Sequence, residues 1–445
     1  MIKVAKFGGS SLADAAQFEK VKDIIRADAQ RAVVVVSAPG KRFGDDNKIT
    51  DLLYLCYAHL KYGVSYEGVF SMIEERFNQI KEGCGLSTDL DAEFAFIRSK
   101  MSKNMSIDYL VSRGEYLTAK LMADYLGFAF VDATEWVRFG YDGKLDADKS
   151  EENLAALAVG KGGMVLPGFY GALPDGSVRV MSRGGSDITG SLAAAAIDAG
   201  VYENWTDVSG ILMADPRIVE DPKPIAHITY SELRELAYMG ANVLHEETIF
   251  PVRHKDIPIN IRNTNAPNDP GTLIKRDFEK ETREERKRFI TGISGRKDFS
   301  IITLRKSHLT AETGIIRSVL AIFEKFSVPI EHIPSGIDSF SLVVSSEKIK
   351  PCMYDIIGEI KQCCEPDSIN VTENIALIAT VGRKMAFIPG VSGKVFGALG
   401  ANDINIRMIA QGPDEINIIV GVENQDFENT IRVLYDSFII GGAEK

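Results

Sequence analysis

Over the first 276 residues, short runs of strand-type apolar residues alternate with stretches whose apolar positions recur at helical spacing. The chain opens on Ile2, Val4 and Phe7, and Gly8-Gly9 then breaks the strand. Ser11 is the predicted N-cap of the next helix, with Asp14 three residues on in a capping-box relation. Phe18, Val21, Ile24 and Ile25 give that helix its apolar face. VVVVS at 33–37 predicts a parallel strand buried on both faces. A helix is predicted at 108–125 through Leu110, Leu117, Leu121 and Met122, and a strand with Pro-Gly near its end at 164–169. An alanine-rich helix at 191–199 and strands at 204–208 and 258–261 follow. Such alternation means an α/β domain with a mostly parallel central sheet, whose ligands lie beyond the carboxyl ends of the strands.

Residues 277–288 are nearly all charged and predict a solvated linker helix. Beyond them the chain repeats itself. Gly314, Val319, Phe323, Ile330, Ile333, Leu342 and Val344 recur as Gly390, Val395, Leu399, Ile406, Ile409, Ile418 and Val420, always 76 residues later. A constant offset over one apolar framework is hard to obtain by chance. Each copy reads strand, Gly, helix, strand, strand, helix, a small α+β module. Two such modules pairing their sheets suit a ligand sensor; dimerisation alone is the simpler role.

A chain of 445 residues exceeds one ordinary core and predicts two or three domains. No apolar run is long enough to span a membrane, and no secretory signal is expected at the N-terminus. The five scattered cysteines, Cys56, Cys84, Cys352, Cys363 and Cys364, lack metal spacing and read as reduced thiols of a cytoplasmic protein. A net charge of −11 argues against a nucleic-acid surface. It also requires that an anionic substrate be met by locally placed lysine and arginine.

Four clusters could carry chemistry. The turn at Gly8-Gly9 is either a tight connection or a phosphate cradle, with free N–H groups, a helix end and Lys6 as a point charge. It is neither a Walker A loop nor a GxGxxG motif. Ser112-Arg113-Gly114-Glu115 is expected to open a helix, where Glu115 either complements the dipole or serves as a site acid. Arg183-Gly184-Gly185-Ser186-Asp187 is a second glycine-rich helix entrance, and Asp187 there is a cap or an acid. Thr206-Asp207 leads to Asp215-Pro216-Arg217, which in isolation reads as surface loop. Lys6, Arg183 and Arg217 are thus candidate anion ligands, and Glu115 and Asp187 candidate acids. No Ser/His/Asp or Cys/His arrangement and no metal-ligand set is visible.

KFGGSS, SRGE, SRGGSD, TDVSGILMADPR and NTNAPNDPGTLI, in that order, resemble the monofunctional aspartate kinases of the amino-acid kinase superfamily. The resemblance implies an amino-acid kinase domain at 1–276, helices on both faces of its sheet, a linker at 277–288 and a pair of ACT (ferredoxin-like) domains at 289–445. The first ACT module would span 299–370, and the second 371–445 together with a strand at 289–295. The implied activity is ATP- and Mg²⁺-dependent phosphorylation of L-aspartate, the first step of lysine, threonine and methionine biosynthesis. A kinase for another small acid, such as N-acetylglutamate, and a non-catalytic amino-acid sensor are the alternatives. Carried over by motif, Lys6 would contact the transferred phosphoryl group, with Asp187 holding it. Gly8, Gly9 and Ser10 would offer backbone N–H groups to the nucleotide, and Thr206, Asp207, Arg217 and Asn242 would complete its site. Arg183 would clamp a carboxylate of aspartate, Glu115 would receive its ammonium, and Ser37 and Thr50 would line the pocket. Asn242 stands where the family usually has lysine, and Leu212 where it often has an aromatic residue. A feedback amino acid, lysine favoured, would bind at Gly314, Ile315, Glu331 and Ser335, in a homodimer or dimer of dimers formed through the ACT domains.

Overall fold

The computed structural model describes residues 1–182, 184–241, 246–278, 290–309, 313–383, 385, 388–412 and 416–440. Contacts divide the chain into two compact units. The first comprises Met1–Ile211, Pro224–Tyr230 and Leu244–Phe278; the second comprises Leu212–Lys223, Ser231–Val243 and Glu279–Lys445. Two segments inside the 1–276 stretch therefore belong with the repeats.

The first unit is built on an eight-stranded sheet. Its order is His227–Thr229, Thr272–Lys275, Ile259–Asn263, Val201–Thr206, Lys3–Phe7, Val33–Val36, Met164–Pro167 and Ala129–Phe130. Every pairing is parallel except Ile259–Asn263 with Thr272–Lys275. All four valines at 33–36 are buried, as a strand covered on both faces requires. Ala5 and Phe7 face a core shared with the helices Ala15–Arg26, Ile49–Tyr62, Glu67–Cys84 and Ile107–Leu126. The helix Gly185–Ala196 packs against the strands Lys3–Phe7 and Val201–Thr206. The predicted elements are thus present, with shifted ends: the helix at 191–199 begins at Gly185, and the strand at 204–208 begins at Val201.

One cap differs. Asp14, not Ser11, caps the first helix, accepting from the amide of Gln17 at 2.9 Å. A short 3₁₀ turn, Gly9–Leu12, intervenes, and the Ser11 hydroxyl pairs instead with Thr264 Oγ1 at 2.8 Å.

The second unit holds a five-stranded antiparallel sheet in the order Ser339–Ser345, Gly292–Arg305, Ser368–Val381, Asn417–Glu423, Met408–Ala410. The two copies share it through their long strands Gly292–Arg305 and Ser368–Val381. Gly314 and Gly390 occupy equivalent left-handed N-caps, φ 94° and 88°, where a side chain would be strained. Two expectations are corrected here. The strand that each copy is expected to carry after its helix does not form at 328–330 in the first copy, where Pro329 cannot donate to a ladder; only the isolated bridges His332–Val343 and Ser335–Phe340 follow it. The repeated Ile333 and Ile409 are exposed rather than buried. The helix Tyr230–Tyr238 reaches the unit's sheet through two glutamates. Glu232 accepts from Thr291 and from Arg383, and Glu235 accepts from the Asn417 amide. The expected linker helix lies largely outside the described residues.

Candidate active site

Strand register builds the site. Lys6 lies beside Asn204 in adjacent parallel strands, and both reach the first turn of the Gly185–Ala196 helix. Lys6 Nζ meets Asp187 Oδ1 at 2.6 Å, and the Asn204 amide donates to the same oxygen at 3.0 Å. Lys6 is only 7% exposed. A buried ammonium held by one carboxylate at the end of a parallel sheet is a cation in waiting for an anion. Asp187 is therefore not a cap; Gly184, at φ 76°, is the N-cap residue.

The glycine turn lies directly after Lys6. The Gly8 N–H is committed to the Trp205 carbonyl at 3.1 Å, so Gly8 is not a free donor. Gly9 and Ser10, opening the 3₁₀ turn, have no backbone acceptor among the described residues. Gly9 is required by proximity, since a Cβ there would sit 2.9 Å from the Ala38 carbonyl oxygen. Ser37 donates its amide to Phe7 O at 3.2 Å, which ties the second strand's end to the first's. Thr50 stands half-buried in the first turn of Ile49–Tyr62. Thr206 ends the neighbouring strand, with its hydroxyl 3.1 Å from an exposed Asp207.

Glu115 is not at a helix start. The helix begins at Ile107, so Glu115 lies two turns inside it, 4% exposed, and the dipole reading is excluded. Its Oε2 has no hydrogen-bond partner among the described residues. Burial pushes its carboxyl up to about 7, against the backbone amides of Ala38 and Glu115 itself, which favour the charged form. A Cβ on Gly114 would lie 2.8 Å from Ala38 Cβ, so this helix presses on the 37–40 turn. A buried carboxylate with one oxygen left unpaired beside that turn suits a cationic ligand group.

The structure thus gathers Lys6, Gly8, Gly9, Ser10, Ser37, Glu115, Asp187 and Thr206 around the carboxyl ends of adjacent strands. Arg183 and Asn242 lie outside the described residues. Arg217 belongs to the second unit, where its exposed guanidinium pairs with Asp215 at 2.6 Å. Gly314, Ile315, Glu331 and Ser335 lie in the second unit as well. There Glu331 accepts the Tyr238 hydroxyl, and Arg296 Nη1 lies 3.8 Å from its other oxygen.

Two residues escaped the sequence. Asn204 read only as part of a strand. Phe169 adopts φ 80°, a strained position for a bulky residue, with its amide on Thr189 Oγ1 at 3.0 Å. The adjoining Gly168 abuts Ser186, one residue before Asp187. The Pro-Gly near the end of that strand is visible in the sequence, but its partner is not.

Among the described residues no group of three His, Cys, Asp or Glu could hold a metal ion. Asp187 already spends Oδ1 on Lys6 and Asn204. No helix of the described residues is long and apolar enough to cross a membrane.

Comparisons with known proteins agree with this geometry. Residues 1–263 match the model of the amino acid kinase family, and residues 378–438 that of an ACT domain. Aspartokinase 3 of Bacillus subtilis is 34% identical over 99% of both chains. The lysine-sensitive aspartokinase 3 of Escherichia coli is 27% identical, with 98% of this chain and 99% of that one covered. Among solved structures, the aspartate kinase of Clostridium acetobutylicum superposes with a TM-score of 0.92 at 50% identity, covering 98% of this chain and all of that one. Aspartokinase III of E. coli, solved with aspartate and ADP, gives 0.73 at 27% identity over 98% and 99% of the two chains. The same enzyme has also been solved with lysine and aspartate. The present chain belongs to the aspartokinase family of amino acid kinases, with C-terminal ACT domains.

Proposed function

We propose that this protein transfers the γ-phosphoryl group of ATP to the β-carboxylate of L-aspartate, giving 4-phospho-L-aspartate. The observation that carries this reading is the buried Lys6–Asp187 pair beside the uncommitted amides of Gly9 and Ser10. The nucleophile is a carboxylate, already ionised at neutral pH, so no residue need remove a proton. Catalysis reduces to aligning two anions and neutralising charge as it moves to the leaving phosphate. Lys6 supplies a fixed cation, and Gly9 and Ser10 supply N–H donors. Mg²⁺ bound to the phosphates adds further neutralisation. Glu115 takes the ammonium of aspartate, Arg183 takes a carboxylate, and Ser37 and Thr50 line that pocket. Thr206 and Asp207 serve the nucleotide. The reaction opens lysine, threonine and methionine biosynthesis in the cytoplasm, in a homodimer or dimer of dimers formed through the ACT domains.

Measuring ADP release from Mg-ATP with aspartate, glutamate or no acceptor tests the reading. Release should depend on acceptor and favour aspartate by about 100-fold or more, since a longer acid misplaces its carboxylate. Equal release with and without aspartate would support a non-catalytic sensor instead.

Regulation follows the same chemistry. Glu331 offers a carboxylate to a cationic ligand, which favours lysine over threonine or methionine as the feedback inhibitor. Gly314 and Ile315, at a helix entrance, and Ser335 would complete that site. Lysine inhibits only by binding the inactive arrangement better than the active one. Lysine should therefore raise the apparent KM for aspartate or lower kcat. Glu331→Ala should raise the half-inhibiting lysine concentration by roughly 10-fold or more, the worth of one lost charge-assisted contact. Inhibition by threonine alone, or an unchanged lysine response, would dismiss Glu331.

A further inference from the structure

The segment 40–48 is exposed along most of its length, yet it carries one buried carboxylate. Asp46 is 8% exposed and accepts from Arg76 Nη2 with both oxygens, at 2.8 and 2.7 Å. It also accepts from the Arg42 amide and Nε at 2.9 Å, and from Arg42 Nη2 at 3.1 Å. Arg76 is 5% exposed on the otherwise apolar face of the Glu67–Cys84 helix, among Phe70, Ile73, Phe77 and Ile80. A buried arginine on such a face is costly unless every part of its fork is used. Here it is used for position. Nη1 donates to Gly40 O at 3.0 Å and, more weakly, to Ala13 O at 3.4 Å. One guanidinium thus grips the 40–48 segment, the turn at its root and the chain just past the 3₁₀ turn.

Gly40 in turn has no slack against the phosphate turn. Its amide donates to Gly9 O at 2.8 Å, and a Cβ on Gly40 would sit 2.7 Å from the Gly9 carbonyl carbon. Displacing Gly40 therefore displaces Gly9. The helix carrying Arg76 is itself fixed nearby, since a Cβ on Gly83 would lie 2.5 Å from Ala15 Cβ. The Arg42 contact holds the Asp46 carboxyl below the usual carboxylate range, so the grip stays charged at neutral pH.

We infer that Arg76 and Asp46 are positioning residues for phosphoryl transfer, holding Gly40 against Gly9 so that the Gly9 and Ser10 amides stay aimed at the nucleotide phosphates. The inference rests on nucleotide docking at that turn. Neither residue touches substrate, so the effect appears in nucleotide kinetics rather than as outright loss of chemistry. Arg76→Lys keeps the charge but cannot reach Asp46 and Gly40 O together. Asp46→Glu keeps the opposite charge beside Arg76 while displacing the grip, and serves if the lysine variant fails to fold.

The test measures kcat, both KM values and the calorimetric Kd for ADP on the full-length variants, well below each variant's melting temperature. The expected result is a fall of roughly 10- to 100-fold in kcat/KM for ATP, the scale of an ångström's misplacement. ADP binding should weaken alongside it, while the KM for aspartate stays within about twofold of wild type. A lower melting temperature with unchanged nucleotide kinetics would make the pair a stability element and overturn the inference. Equal losses for ATP and aspartate would overturn it too, by placing the effect on the whole pocket. Failure of the proposed reaction is seen separately, as a wild-type protein with no aspartate-dependent ADP release.

Discussion

Lys6→Ala is expected to lower kcat by roughly 10²- to 10³-fold while the protein stays folded, the scale seen when one preorganised charge-stabilising group is removed. The Lys6 ammonium is buried, fixed by Asp187 at 2.6 Å, and lies next to the turn that offers the Gly9 and Ser10 amides. It therefore needs no reorganisation when charge develops on the transferring group. The stability cost is moderated because Asp187 keeps the Asn204 amide and partial access to water. The kinetic effect corresponds to about 3–4 kcal/mol. Steady-state kinetics and a melting curve on the same preparation separate the two. A folded Lys6→Ala protein with near-normal turnover would remove Lys6 from the mechanism.

Glu115→Gln should raise the KM for aspartate by about 100-fold and leave nucleotide affinity within about twofold, because an ammonium loses its only charge partner in a dry site. A pH signature accompanies it. With its carboxyl pushed up to about 7, Glu115 is protonated below that pH in the free protein and cannot attract an ammonium. In the wild type, kcat/KM for aspartate should rise with pH through about 7, and the variant should lose this limb. Stability runs the other way. Between the ordinary value of 4.5 and about 7, the native carboxyl keeps a proton that the unfolded one has released. Folding stability therefore declines as pH rises through that window, and the penalty is complete above it. Above pH 7 the glutamine variant should melt at a higher temperature than wild type, by the equivalent of up to about 3 kcal/mol. Below about pH 4.5 the two should coincide. Equal weakening of aspartate and ATP would mark Glu115 as structural.

The sequence displayed what depends on short-range pattern. The valine run, the glycine turns, the alanine-rich helix and the 76-residue repeat each announce an element within a few residues or at a fixed offset. The motif set identified the family for the same reason. Pairings between distant segments were not legible. Asn204 beside Lys6 is a matter of strand register, and Arg76 with Asp46 a matter of which helix covers a loop. The cap moved from Ser11 to Asp14 because Thr264, over 250 residues away, claims the serine hydroxyl. Glu115 lies inside the helix rather than at its start because the helix already begins at Ile107, after Ser106. The stretch at 328–330 has apolar residues of strand type, but Pro329 removes a donor that a ladder needs.

The path of the chain between its two units bears on how such a protein can be cut. It passes from one to the other at 211/212, 223/224, 230/231, 243/244 and 278/279. Ending the polypeptide at Phe278 would thus not release a finished catalytic piece. Glu232 would lose Thr291 and Arg383, Glu235 would lose Asn417, and the buried Leu236 would lose its neighbours Gly292 and Ser294. Recombination that swaps the C-terminal repeats between relatives must carry the 212–223 and 231–243 segments along, or mend their buried faces. In heritable terms, the sensor's sequence is written partly inside the catalyst's.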